Sequence, residues 1–156
     1  MGSGKSTLGR LLARETGWEF VDLDAVVAER AGISITAIFN SLGEPTFRRL
    51  ERDALDRVLG EKQERIVSCG GGIVVEPRNV DRLGQVNTVF LWEDTGVLFR
   101  RTRGSDRPLR GDDYEDFARR YSERLPSYLE VASLQVEVYE RPPRAVAQEV
   151  LAWLRS

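Results

Sequence analysis

Gly2-Ser3-Gly4-Lys5-Ser6-Thr7 opens this chain and runs straight into Leu8-Gly9-Arg10-Leu11-Leu12-Ala13. The second stretch has the apolar spacing of a helix, so the spacing predicts a helix from Ser6 to Thr16 that stops near Gly17. The hexapeptide before it is the C-terminal part of the phosphate-loop pattern G-x-x-x-x-G-K-[ST]. Its glycines let backbone N–H groups turn inward around phosphate oxygens. The helix adds its positive end to the same anion site. Lys5 is placed to reach the β- and γ-phosphates of ATP, and the Ser6 hydroxyl to ligate Mg²⁺. Gly2, Ser3, Gly4 and Thr7 complete the nucleotide-binding set. The plain alternative is a Gly-rich turn before an ordinary helix, and the joint occurrence of G-x-G-K-S-T at a helix start argues against it.

The pattern alternates helix and strand downstream, which points to α/β architecture with a parallel sheet and crossover helices. Strands are expected at Glu19–Leu23, Arg65–Cys69, Val86–Trp92 and Gln135–Tyr139. Helices are expected at Asp24–Arg30, from Ser34 to about Leu42, and from Pro45 to about Leu59. Further helices are expected from Thr95, over Tyr114–Val131 with a candidate break at Pro126, and over Arg144–Leu154. The stretch Arg103–Asp113 is polar and rich in charge and reads as a mobile loop. The first Gly of the full phosphate-loop pattern would fall two places before Met1, and the apolar strand that normally precedes the loop is not in the sequence. That strand is an interior one. The expectation is therefore a chain shortened upstream, whose sheet lacks an inner strand and leaves ladder groups unpaired, at roughly 1–3 kcal/mol each.

The bulk numbers narrow the chemistry. At 156 residues and 41% apolar, the chain fits one domain with a full core. A net charge of −2 gives no general basic field for nucleic acid. No apolar run approaches the roughly 20 residues of a membrane span, and no secretory block opens the sequence, so a cytoplasmic address is expected. Histidine is absent, which removes His-based acid–base catalysis and His metal ligands. Cys69 is the lone cysteine and reads as a small core residue. Lysine occurs only at Lys5 and Lys62, against many arginines, as a compositional bias of the source genome would give.

Five further segments carry polar chemistry. In Phe20-Val21-Asp22-Leu23-Asp24, the two carboxylates fall on one face of a strand end, suited to a Mg²⁺ shell and a hydroxyl acceptor. A solvated turn with Asp24 as helix cap is the plain alternative. In Gly43-Glu44-Pro45-Thr46-Phe47-Arg48-Arg49-Leu50-Glu51, Arg48 and Glu51 share a helix face and can pair. An exposed ion pair of little consequence is the plain alternative there. Cys69-Gly70-Gly71-Gly72 ends a β-branched strand, where glycines let the main chain approach a ligand, or simply turn. Arg107-Pro108-Leu109 and Arg124-Leu125-Pro126-Ser127-Tyr128 add two more arginines in defined contexts.

Taken in order and spacing, these segments resemble the shikimate kinase family over Met1 to about Val146. The resemblance implies the fold of P-loop nucleoside-monophosphate-kinase-like enzymes. It implies one kinase domain over 1–156, with its phosphate loop at 1–7, a substrate-binding helical segment at about 24–60 and a lid at about 103–113. In the family, the residue matching Asp22 helps organise Mg²⁺, and the one matching Asp24 binds the acceptor hydroxyls as candidate base. Arg48, held by Glu51, and Arg124 would clamp a substrate carboxylate. Gly70, Gly71 and Gly72 would line the substrate pocket. Arg107 would stabilise charge on the transferring phosphoryl group. Its R-P-L segment continues with Arg110 where the family has a second Leu. Arg101 and Pro143, in Arg141-Pro142-Pro143, resemble the residues that sandwich adenine. The implied activity is transfer of the γ-phosphate of ATP to a hydroxyl of shikimate by a monomer with no nucleic-acid or membrane partner. Without the resemblance, the residues reach only a small polyol bearing a carboxylate. A gluconate kinase, or a kinase-like domain that binds without turnover, stays open as an alternative.

Overall fold

The computed structural model of the chain describes residues 2–102 and 113–156. The elements run α1 (Lys5–Thr16), β1 (Glu19–Asp22), α2 (Leu23–Ala31), α3 (Ile35–Gly60), β2 (Arg65–Ser68), a 3₁₀ turn (Ile73–Val75) and α4 (Pro77–Leu83). They continue with β3 (Val89–Trp92), α5 (Thr95–Arg101), α6 (Tyr114–Val131), β4 (Leu134–Glu137) and α7 (Pro143–Leu154).

Local sequence explains most boundaries. Gly17 closes α1 in the left-handed region at φ 76°, its N–H donating to the Ala13 carbonyl. Ser34 caps α3 by accepting from Ala37 N–H at 3.1 Å. Within α3 the backbone leaves helical geometry at Gly43 (φ 81°, ψ 166°), two residues before Pro45. The two expected helices are thus one element broken at a glycine that can take a positive φ. The expected break at Pro126 is absent, and α6 runs unbroken from Tyr114 to Val131. Packing holds α6 on both sides of the proline. Phe117 lies 5.5 Å from Phe99, and Tyr128 stacks at 5.0 Å on Phe90. β3 starts three residues later than expected because Thr88 serves a turn, its hydroxyl donating to the Leu83 carbonyl at 2.8 Å. The sequence reading passed over α4, although Pro77 in its first turn and Gly84 after it are ordinary start and stop signals.

Both strand pairings are parallel. β1 pairs with β2 in the register Glu19 with Arg65 through Asp22 with Ser68, and an Arg65–Glu19 ion pair of 2.8 Å pins one end. β3 pairs with β4, Val89 with Leu134 through Trp92 with Glu137. Alternate strand residues face opposite cores. Val21 and Val67 join a core with Leu23, Ile38, Leu55 and Val58 from α2 and α3. Ile66 and Leu91 join another with Leu8, Leu12, Val146 and Val150 from α1 and α7.

Among the described residues these four strands form two sheets of two, not one sheet of four. Between β2 and β3 lies a cavity of about 540 Å³. Ile66, Val67, Phe90 and Leu91 line it from the strands, Leu12 and Leu55 from helices, and Ser3 and Lys5 from the phosphate loop. The Ser68 hydroxyl also lines it, buried without a hydrogen-bond partner. The gap expected from the sequence is therefore a slot between two open strand edges.

Candidate active site

The phosphate loop keeps the geometry its glycines allow. Gly2 and Gly4 both lie at positive φ, 75° and 82°. Gly4 precedes α1 without any side-chain cap, the first turn holds no acidic residue, and a Cβ at Gly4 would meet nothing within 4 Å. The leading N–H groups of α1 are therefore left for an anion, as a polyphosphate requires. Gly2 packs tightly: a Cβ there would stand 2.9 Å from the Leu98 carbonyl oxygen and 3.3 Å from the Arg101 Cβ. The loop thus rests on the end of α5.

Asp22 and Asp24 sit where β1 becomes α2. The cap of α2 is Asp22, not Asp24: Asp22 Oδ1 accepts from Asp24 N–H at 3.1 Å. Among the described residues no three His, Cys, Asp or Glu side chains converge on one point. Mg²⁺ needs no such cluster, since it keeps several waters and takes one or two protein ligands beside phosphate oxygens. Ser6 and Asp22 fit this sparse set, since Oδ1 alone is committed to the cap.

Arg48 and Glu51 form the rigid wall of the neighbouring pocket. Arg48 Nη1 donates to Glu51 Oε2 at 2.6 Å, while its Nε and Nη2 both donate to Glu44 Oε1 at 3.1 Å. Arg48 is 8% exposed and Glu51 1%, so this is no surface pair. Burial pushes the Glu51 carboxyl above its ordinary 4.5, and the Arg48 guanidinium pulls the other way. The guanidinium sets its Nη1 and Nη2 edge against Gly72, where a Cβ would stand within 2.5 Å of those nitrogens and 2.7 Å from Arg48 Cζ. At Gly70 a Cβ would stand 3.4 Å from Asp24 Oδ1 and 3.5 Å from Glu51 Oε1. The glycine run therefore lets a cation and two carboxylates lie against bare main chain. Gly71 gives its carbonyl to the Tyr128 hydroxyl.

These parts enclose a cavity of about 100 Å³. Asp24, Arg48, Glu51, Gly70, Gly71, Gly72 and Arg124 all line it, so the structure gathers every substrate-side residue named from the sequence. It adds Ile35, Phe39 and Phe47 from α3, and Phe117, Arg120, Tyr121 and Tyr128 from α6, which the sequence reading left unassigned. Their signal was present: positions 117, 120, 121, 124 and 128 recur every three to four residues along one helix face. Phe39 and Phe47 meet at 4.6 Å, and Arg48 Cζ lies 5.1 Å above the Phe47 ring. Burial raises the Tyr128 hydroxyl above its usual range, opposed by the nearby Arg124 guanidinium. Burial and the carboxylates of Glu51, Asp24 and Asp22 push the Cys69 thiol up to about 12, so it is no nucleophile at neutral pH.

The nucleotide-base side is more loosely assembled. Arg101 ends α5 and pairs with the buried Glu93 at 3.5 Å. Pro143 lies in the first turn of α7, behind a loop whose Val138 N–H donates to the Trp92 carbonyl at 3.1 Å. Both segments flank the end of β3, on separate elements. Arg141 is engaged elsewhere, with Glu149 at 2.6 Å and the Glu137 carbonyl at 3.0 Å. Arg107 and the rest of the expected lid, apart from Asp113 at the start of α6, lie outside the described residues.

A family model described as shikimate kinase matches residues 1–155 of the chain. Shikimate kinase of Geobacter sulfurreducens is 40% identical over 160 residues, spanning all of this chain and 87% of the relative. That of Halorhodospira halophila is 42% identical over 162 residues, spanning all of this chain and 90% of the relative. Among solved structures, shikimate kinase from Acinetobacter baumannii in complex with shikimate superposes with a TM-score of 0.93 at 31% identity, covering 99% of this chain and 88% of the other. The enzyme from Aquifex aeolicus superposes at 0.87 with 33% identity, covering 99% and 92%.

Proposed function

The chain belongs to the shikimate kinase family, and from that premise we infer that it transfers the γ-phosphate of ATP to the 3-hydroxyl of shikimate. The products are shikimate 3-phosphate and ADP, on the route to chorismate and the aromatic amino acids. The observation that carries this reading is the buried, doubly braced Arg48 facing Arg124 and Asp24 across one small cavity. An acceptor for that cavity needs a carboxylate for the arginines and a hydroxyl for the aspartate, and shikimate has both.

The residues divide the work by position. Mg²⁺·ATP, when bound, supplies the phosphoryl group and the divalent charge that neutralises it. Gly2, Ser3, Gly4 and Thr7 shape the loop whose N–H groups hold the phosphates. Lys5 adds its charge to the β- and γ-phosphates, and Ser6 with Asp22 holds the metal. Arg48 and Arg124 fix the acceptor carboxylate in bidentate fashion. That orientation directs the 3-hydroxyl toward the phosphate loop. Asp24 accepts the hydroxyl proton as the oxygen bonds to phosphorus and the bond to ADP breaks. Arg107 is assigned to the charge on the transferring group, and Arg101 with Pro143 to the adenine ring.

ADP release measured with shikimate, with gluconate and with no acceptor tests the activity. Turnover should require shikimate. Calorimetry with shikimate and its decarboxylated analogue tests the clamp, and loss of the carboxylate should weaken binding by roughly 1.5–3 kcal/mol. Background ADP release with shikimate, or equal affinity for both compounds, would overturn the assignment. No helix among the described residues is long and apolar enough to cross a membrane. A monomer in the cytoplasm, without nucleic-acid partners, is the setting we assign, with sedimentation and cell fractionation as checks.

A further inference from the structure

We propose that Tyr128 is a positioning residue for the acceptor carboxylate: its hydroxyl ties Arg124 to the glycine run against which Arg48 is set, and so holds the two arms of the clamp in register. This rests on the reading of Arg48 and Arg124 as that clamp. Arg48 is held by Glu51 and Glu44 through three hydrogen bonds. Arg124 has a different neighbour. Tyr128 follows it by four residues on α6, about 6 Å along the axis, so both side chains leave the same helix face and line the acceptor cavity. The Tyr128 hydroxyl donates to the Gly71 carbonyl, and Gly71 adjoins Gly72, on whose backbone the Arg48 guanidinium is packed. One oxygen therefore links the floor under one arginine to the other arginine.

The chemistry of a phenol makes that link directional. A tyrosine hydroxyl has one proton to give and lone pairs to accept with, whereas a guanidinium can only donate. With its proton committed to Gly71, the oxygen meets Arg124 as an acceptor. Burial raises the hydroxyl above its usual range, while Arg124, by charge and by hydrogen bonding, and then Arg48, by charge, act against the rise. The phenol therefore keeps its proton at neutral pH, and both roles with it. The ring has little freedom to turn away. It stacks at 5.0 Å on Phe90 of β3 with 21° between the planes, and Tyr121 lies 6.0 Å off at 52°. Those contacts belong to the ring, so Tyr128→Phe keeps them and removes only the tie. An Arg124 without its tie spreads over more rotamers and meets a carboxylate with its fork less often in line.

The test is calorimetry of shikimate and its decarboxylated analogue on the unaltered protein, Tyr128→Phe, Arg124→Gln and the double variant, with steady-state kinetics beside it. Tyr128→Phe should bind shikimate about tenfold more weakly, and the decarboxylated analogue within about twofold of the unaltered protein. KM for shikimate should rise by about the same factor, with kcat and the KM for ATP within about twofold. In the Arg124→Gln background, adding Tyr128→Phe should change affinity by less than about twofold, because the hydroxyl acts through that arginine. A Tyr128→Phe protein that keeps the full preference for the carboxylate overturns the proposal. So does an equal loss for both compounds, which is what a purely structural tyrosine gives. So does a loss of the same size persisting without Arg124. An unaltered protein with no preference for the carboxylate removes the clamp itself, and the proposal with it, whereas the other three outcomes leave the clamp standing.

Discussion

Arg48 and Glu51 hold opposite charges out of water and against bare backbone, so each depends on the other's ionisation. Burial raises Glu51 above 4.5, with Arg48 opposing. Lowering the pH through that raised value neutralises Glu51 and removes one brace from the guanidinium. The KM for shikimate should therefore rise as pH falls along a limb lying above 4.5, and Glu51→Gln should abolish the limb while raising KM throughout. Folding stability should respond with the opposite sign. A carboxyl raised on folding contributes stability fully present below its unfolded value, and the contribution is lost as pH rises through the folded one. KM profiles and thermal melts of the two proteins across pH 4.5–8 check both signs, and parallel movement would rule out the pair as the cause. That Arg48 and Glu51 would meet was legible from their spacing of three. Their burial was not, because it comes from Gly72, twenty-odd residues on, where only a missing Cβ makes room. Tyr128 was likewise hidden, since its partner is a main-chain carbonyl in another segment.

At the scale of elements, α1 serves the site through its end. An uncapped first turn with no acidic residue, entered through a left-handed glycine, is poor helix chemistry and good anion chemistry. Lys5→Ala should lower kcat/KM by roughly two to three orders of magnitude, as loss of a preorganised charge does elsewhere. It should leave the melting temperature within about 2 °C, because no core volume is removed. Kinetics on a protein shown to be folded by circular dichroism would check this, and near-normal kcat would refute it. The helices that build the site were legible wherever a cap or a glycine marked them: Gly17, Ser34, Gly43 with Pro45. They were misread where tertiary packing overrode local preference, as at Pro126, where aromatic contacts carry α6 past a residue that usually breaks it. α4 escaped notice because seven residues offer too little periodicity to stand out.

For the molecule as a whole, the four strands were legible as short apolar runs and a gap in the sheet was expected, whereas the division of the interior into two cores was not. The size and place of the gap required coordinates. A sealed, dry cavity of 540 Å³ would cost on the order of 13 kcal/mol at about 24 cal/mol per Å³. This is an upper bound, since the slot also has polar lining at Ser3, Lys5 and Gln63 that admits water. Even a fraction of it is large beside a typical domain stability of about 5–15 kcal/mol. A version carrying an added apolar strand ahead of Gly2 should therefore be more stable by roughly 5–9 kcal/mol, for three large side chains buried in the slot. Paired thermal melts with and without Mg²⁺·ATP check this, and coincident melts would show that the slot costs nothing.

The same slot sets how the protein answers compression. The apolar part of the slot, along Ile66, Phe90 and Leu91, offers water no polar partner, and unfolding surrenders that unfilled space to denser solvent. Hydrostatic pressure therefore works on this molecule with a longer lever than on a protein of equal size whose sheet is continuous. The lever acts first where β2 and β3 face each other, beneath the phosphate loop.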